Sequence, residues 1–273
     1  MHKNVEKRKL TIFSFFMWQY RSVRWLVGLR LKRNFARQDD WVFSRTACLG
    51  NDSFALLQEY SSIFRMNLQK GRTDLLLAMP SSSEKKHNSS ILKFIVRDDI
   101  VPHIWAQFCQ QFADMPKPKF ILMDSYSDLT DLKFFDKSKS KSFYCHKSDL
   151  TRTIETQDRL LNLGLLPLNE LESLYTRLFD DFRLLWGNVI IIFIHFPTKL
   201  ETRDLYLKRA KEIETAIERL SNRELWLYSI RIPDHLVWPE TLPGGATSTF
   251  PYHYSVESKL YVASEIRRIM QGR

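Results

Sequence analysis

The stretch Asn188 to Pro197, NVIIIFIHFP, constrains this chain most. Every residue from Val189 to Ile194 is β-branched or aromatic, and polar residues stand only at the two ends. A run without alternation suits a strand buried on both faces, and such strands belong to parallel sheets covered by helices. The flanking sequence agrees: Glu201 to Ser221 has helical periodicity, and Leu225 to Pro233, LWLYSIRIP, reads as a second strand. Strand, helix and strand form a βαβ unit. Val42 to Ala47 and Phe120 to Met123 supply two more strands, so the expected fold is α/β, a mostly parallel sheet between two layers of helices. In open sheets of this kind, reacting groups gather just beyond the carboxyl ends of the strands.

Length allows one such core. A chain of 273 residues with 44% hydrophobic content buries one sizeable interior, which places one domain over residues 41–273 and an appendage over 1–40. Three cysteines, Cys48, Cys109 and Cys145, are an odd number without metal-like spacing. They argue against a disulfide scaffold or a metal site and for a reducing, cytoplasmic setting.

The formal charge of +10 is unevenly distributed. Residues 1–37 hold ten Lys and Arg against the single acid Glu6, leaving 31 basic and 30 acidic residues in the rest. A nearly neutral body argues against nucleic-acid binding. In the arm, Phe13, Phe16, Tyr20, Val23, Val27 and Leu31 recur at helical spacing, while Arg21, Arg24 and Arg30 interrupt any run long enough to span a bilayer. The apolar stretch Leu10 to Trp18 leads into Gln19, Tyr20 and Arg21 and lacks the small-residue site of a signal peptide. Two roles fit this pattern: a basic amphipathic helix on an anionic membrane surface or a protein partner, or a helix packed on the body. The first would make the protein peripheral at the inner face of the membrane.

WVFSRTACL, from Trp41, reads as the first strand, and GNDSFALLQEY turns it into a helix whose start is marked by Asn51, Asp52 and Ser53. A sharp turn there presents a side chain above the sheet, beside backbone N–H groups suited to an anion. Cys48 and Ser53 are the two nucleophiles within reach of that position, and each also has a plain role, Cys48 in packing and Ser53 as a cap. Farther on, Leu75 to Met79 reads as a short strand or helix, Ser81 to Ser90 as a polar loop and Ile100 to Ala113 as a helix. Asp124 follows the third strand, in the layer where either a turn cap or a functional carboxylate belongs. Asp136 to Asp149 reads as a solvated loop, and Thr156 to Trp186 as helical, with Leu171, Leu174, Leu178, Phe182 and Leu185 on its core face. His195, at the end of the buried strand between Ile194 and Phe196, has the setting of a hydrogen-bonded structural residue.

The last segment, FPYHYSVESKLYVASEIRRIM, begins a helix at Ser255 with Leu260, Ala263, Ile266 and Ile269 turned inward. His253 stands two residues before that cap, after the last strand, where a general base for Ser or Cys would arrive.

This order of parts resembles the SGNH (GDSL-like) hydrolase and acyltransferase superfamily over most of residues 41–270. Asn51-Asp52-Ser53 is similar to the family's Gly-Asp-Ser, with Asn for Gly. In a second register, Cys48-x-x-Asn-Asp-x-Phe and Pro251-Tyr252-His253-Tyr254 resemble a bacterial branch associated with surface-polysaccharide loci, in which Cys occupies the turn. Phe250 stands where the family places an acid three residues before the His, and Asp124 to Asp128 occupies the region of its oxyanion Asn. The resemblance implies a three-layer sandwich and a site of Ser53 or Cys48 as nucleophile, His253 as base, Asp124 nearby, and Gly50, Asn51 and Asp52 at the oxyanion turn. It leaves Asp234 or Glu240 to orient His253. It further implies an ester hydrolase or O-acyltransferase acting on acylated glycans in capsular polysaccharide biosynthesis. No cofactor is implied, except an acyl donor such as acetyl-CoA if the enzyme is a transferase. The alternative is a catalytically inactive SGNH-like interaction protein of a membrane-associated polysaccharide-synthesis assembly.

The arm gives the first test. Deleting residues 1–37 is expected to abolish co-sedimentation with anionic vesicles at low salt, because nearly all the excess charge leaves with it. Unchanged binding, or none in the intact chain, would remove the membrane role, and an insoluble remainder would assign the arm to the core.

Overall fold

The computed structural model describes residues 41–78, 89–109 and 115–272. The basic helix expected over residues 1–40 lies outside the described residues, as does most of the expected polar loop and the end of the helix expected to reach Ala113. Five strands form a wholly parallel sheet: β1 (Trp41–Arg45), β2 (Phe64–Asn67), β3 (Ile121–Asp124), β7 (Ile191–Ile194) and β8 (Leu227–Ile230), in the spatial order β2-β1-β3-β7-β8. The four strands expected from sequence are present and parallel. β2, only four residues long and half-buried, is the addition. Every side chain of β1, β3 and β7 is buried, as a sheet covered on both faces requires.

Helices lie against both faces. On one, Phe43 packs on Phe182 and Trp186 of α6 (Leu171–Trp186), and Phe193 meets Tyr175 of the same helix. On the other, Phe120 packs on Phe54 of α1 (Cys48–Ala55). Edge-to-face and offset aromatic pairs of this kind contribute about 0.5–1.5 kcal/mol each beyond their buried area. α2 (Thr73–Ala78) and α7 (Asp204–Ser221) pack against α6, and α8 (Val256–Gln271) packs against α1. The chain leaves β1 toward β2 on one side and later inserts β3 on the other. The crevice beyond the carboxyl ends of β1 and β3 is therefore a topological switch point, where open α/β sheets place their ligands.

Between β3 and β7 the chain builds α4 (Tyr126–Thr130) and a second, antiparallel sheet of β4 (Leu132–Asp136), β5 (Lys141–Cys145) and β6 (Leu160–Gly164), ordered β5-β4-β6. This corrects the solvated loop expected over Asp136 to Asp149. The lysines and serines of 137–140 form only the hairpin turn, with Ser140 at φ 51°, while Phe143, Tyr144 and Cys145 are buried. It also corrects the helix expected from Thr156, since α5 (Ile154–Arg159) ends where β6 begins. Helix α3 (Val101–Cys109) packs against β5.

Two apolar faces also shift. On α6, Tyr175, Phe179 and Trp186 join Leu171, Leu178 and Phe182 in the core, whereas Leu185 is exposed. Aromatic residues at i, i+4 spacing outweighed the leucines chosen from sequence. On α8, Val262 is buried beside Ala263, Ile266 and Ile269, and Leu260 faces out. Among the described residues no helix is long and apolar enough to cross a membrane.

Candidate active site at the carboxyl edge of the sheet

Strand β1 ends at Arg45, and after Thr46 and Ala47 helix α1 begins with Cys48 as its first residue and Ala47 as its cap. The helix thus starts three residues before the Asn51 expected to mark it, and Cys48 sits at its N-terminus. Asp124, the last residue of β3, fixes the turn: one carboxylate oxygen accepts the Ala47 N–H at 2.7 Å and the other the Tyr126 N–H at 3.1 Å. Gly50 makes this closeness possible, because a Cβ there would lie 2.7 Å from Thr46 Cγ2 and 3.3 Å from Asp124 Oδ2. Burial pushes the Asp124 carboxyl up to about 7, against the pull of Arg45 and the two N–H groups.

The histidine arrives on a two-stranded ribbon. Pro239 pairs antiparallel with Tyr254, and the Glu240 N–H donates to the His253 carbonyl at 3.0 Å. The ribbon turns at Gly244 and Gly245, whose φ values of 92° and 84° suit glycine alone. Glu240 and His253 therefore face each other across the ribbon, with Glu240 Oε2 3.6 Å from His253 Nδ1. Three residues upstream, where the resemblance expects an acid, Phe250 packs its ring 4.8 Å from the imidazole, so the carboxylate beside His253 is the one that strand pairing brings.

Cys48, Leu49, Asp52, Glu240, Tyr252, His253, Tyr254 and Lys259 line an open cleft of about 240 Å³. The Cys48 thiol donates to the Tyr252 carbonyl at 3.4 Å and not to the imidazole. Burial, with the Asp124 and Asp52 carboxylates close by, pushes the thiol up to about 12, while the Leu49 N–H and Lys259 draw it down. It is therefore a protonated thiol that needs a base to become nucleophilic. Tyr252 is itself anchored, its hydroxyl donating to Glu201. Burial would raise the Glu201 carboxyl, but hydrogen bonds from Arg203 and Tyr252 overcome this and hold it at about 2.

The structure separates the two nucleophile registers. Ser53 is fully buried in α1, its hydroxyl donating to the Leu49 carbonyl at 2.7 Å, and it does not line the cleft. Of the oxyanion-turn residues, Asp52 lines the cleft, Gly50 packs beneath it, and Asn51 is turned to Arg65 of β2. Asp234 lies exposed in a short 3-10 turn, where its carbonyl accepts from Lys199. It is Glu240, and not Asp234, that faces His253. His195 is buried against the Ser229 hydroxyl at 2.9 Å, and burial drives it down to about 3, so it is a neutral structural residue. Sequence alone assigned no role to Lys259 or Glu201, and it named Tyr252 and Tyr254 only as neighbours of His253 in one motif. For the polar cluster beneath the turn one signal was present: Arg45 closes a strand that is otherwise uncharged and buried throughout, and a charge there demands a partner, which is Asp128.

No family model matches this chain, and no curated protein does. Among solved structures, it is similar to an acetyl xylan esterase (Est2A) from the rumen bacterium Butyrivibrio proteoclasticus, at 12% identity and a TM-score of 0.37. The match covers 85% of this chain and 63% of the esterase, less than two thirds of its length. So loose a superposition says nothing of activity, and the architecture rests on strand order and register.

Replacing Asp124 by Asn removes one of two acceptors and leaves a buried N–H unpaired, which costs about 1–3 kcal/mol. The native carboxyl titrates near 7 and the unfolded one near 3.8, so between these values the folded state binds more protons and wild-type stability from this group falls as pH rises. The stability gap between wild type and Asp124→Asn is therefore expected to be widest near pH 4 and to narrow by pH 8 in denaturant titrations. A gap that widens with pH would show Asp124 to be ionised throughout.

Proposed function

We propose that this protein is an acyl-transfer enzyme with Cys48 as nucleophile, His253 as general base and Glu240 as the acid that orients it. The observation that carries this reading is the convergence of all three on one cleft at the switch point of the sheet, with Glu240 held across the ribbon from His253. For reaction, the Cys48 S–H turns from the Tyr252 carbonyl to the His253 Nε2, which takes its proton. The sulfur attacks the ester carbonyl, and N–H groups of the first turn of α1 stabilise the oxyanion at the positive end of the helix. Collapse breaks the C–O bond, the alcohol leaves with the proton from His253, and a thioester remains on Cys48. Water or a sugar hydroxyl then gives its proton to His253 and attacks the thioester, returning the thiol. Water makes the enzyme an esterase; a glycan hydroxyl makes it an O-acyltransferase, for which acetyl-CoA is a suitable donor, its C–S bond breaking in the first half and the CoA thiol leaving with the proton from His253. Acylated surface glycans as substrate follow from the SGNH-like order of motifs.

A second reading is favoured by one observation: the resting thiol bonds to a carbonyl and is pushed up by its surroundings. That is the setting of an inactive, SGNH-like interaction protein. Turnover of an activated acetyl ester and of acetylated glycans separates the two. Cys48→Ala is expected to abolish activity, His253→Ala to lower it about 10²- to 10⁴-fold, Glu240→Gln to lower it by less, and Ser53→Ala to retain it. Absence of wild-type turnover on all these substrates, or activity that survives Cys48→Ala, would overturn the assignment.

A further inference from the structure

Lys259 stands one turn into α8, and its ammonium lies 2.8 Å from Glu240 Oε1 and 3.0 Å from Asp52 Oδ2. Its side chain is only 16% exposed, so this charge is neither freely solvated nor free to wander. One ammonium thereby joins the three elements that build the cleft: α1 through Asp52, the ribbon through Glu240, and α8 itself. It occupies one oxygen of Glu240 and leaves the other turned to His253 Nδ1.

The charges around the cleft give this position a second consequence. The groups facing the Cys48 sulfur are the Asp124 and Asp52 carboxylates, the phenols of Tyr126 and Tyr254, the Tyr252 carbonyl and the Lys259 ammonium, with His253 and Glu240 on the same cleft. Arg45 lies beneath the turn and is already paired with Asp128. Among the described residues lining the cleft, Lys259 is the single lysine or arginine. Without it, a thiolate would form beside unscreened carboxylates, and nothing in the cleft would separate Asp52 from Glu240.

We propose that Lys259 is a positioning residue of this site: it holds the Glu240 carboxylate against the His253 imidazole and offsets the negative charge where the Cys48 thiolate forms. The first half rests on the acyl-transfer reading; the second concerns the thiol alone.

Alkylation of the full-length chain by iodoacetamide, followed at the Cys48 peptide by mass spectrometry between pH 7 and 10, tests both. Lys259→Met is expected to slow Cys48 alkylation, by up to about tenfold at a given pH, because less of the sulfur is thiolate once the ammonium is gone. Lys259→Arg should restore the rate, and so should Lys259→Met combined with Asp52→Asn, which removes a carboxylate with the lysine. A lysine that only ties α1 to α8 predicts the opposite sign, since loosening the cleft exposes the thiol and speeds alkylation. Unchanged or faster alkylation in Lys259→Met, with melting temperatures recorded for each variant, would overturn the electrostatic role. In ester turnover, Lys259→Met is expected to lower kcat with KM unchanged; a change in KM alone would overturn the positioning of Glu240. If the wild type turns over no ester while the alkylation shift is present, the acyl-transfer reading falls and the charge role of Lys259 stands.

Discussion

The rest of the site depends on a buried ion pair. Arg45 at the end of β1 and Asp128 on α4 are both fully buried, and their guanidinium and carboxylate are in direct contact. Removing two charges from water costs several kcal/mol per ion, and attraction alone repays this only when other lone pairs and protons are also satisfied. Here they largely are. Asp128 also accepts the Thr73 N–H and hydroxyl, at 2.8 Å each, and the Tyr175 hydroxyl at 2.7 Å. Arg45 donates as well to the Asp124 carbonyl at 2.6 Å. Burial alone would raise the Asp128 carboxyl, but Arg45 and these donors hold it below the usual carboxylate range.

This network determines where the Cys48 thiol sits. Strand β1, strand β3 and helices α2, α4 and α6 all contribute to the Arg45–Asp128 cluster. With Arg45 locked, the two residues that follow have one course into α1, and the Asp124 carboxylate above the same cluster takes the Ala47 N–H. Cys48 is thus placed by β1 and β3, whereas His253 and Glu240 come from the far end of the chain on a ribbon, and Lys259 from α8. Lys259 and the Tyr252 carbonyl are the seams between these halves. Such a division suits the proposed chemistry: one half holds the Cys48 thiol, and the other brings His253 and Glu240 as a pair whose spacing is set by backbone hydrogen bonds.

Much of the parallel sheet could be read in the sequence because its strands are buried on both faces and carry unbroken apolar runs, as Val189 to Ile194 does. The antiparallel sheet could not. Lys141 to Cys145 places two polar residues before three buried ones, and the neighbouring lysines and serines of its hairpin gave the segment the composition of a loop. His253 stood out because a lone loop histidine before a capped helix is a local pattern. The pairing of Glu240 with His253 is not local. Thirteen positions separate them, and only the ribbon's register makes them neighbours, so a search at fixed offset found Phe250 instead. The choice between Cys48 and Ser53 was equally closed to sequence, since it turns on whether α1 begins at residue 48 or near 51.

The most direct measurement is of the covalent intermediate. Incubation of the full-length chain with an activated acetyl ester, acid quenching and peptide mass spectrometry locate any acyl group the protein carries. A single acetyl thioester on the Cys48 peptide is expected, labile to hydroxylamine at neutral pH and forming far more slowly in His253→Ala. An acyl group on Ser53, or ester turnover in which Cys48 is never acylated, would contradict it.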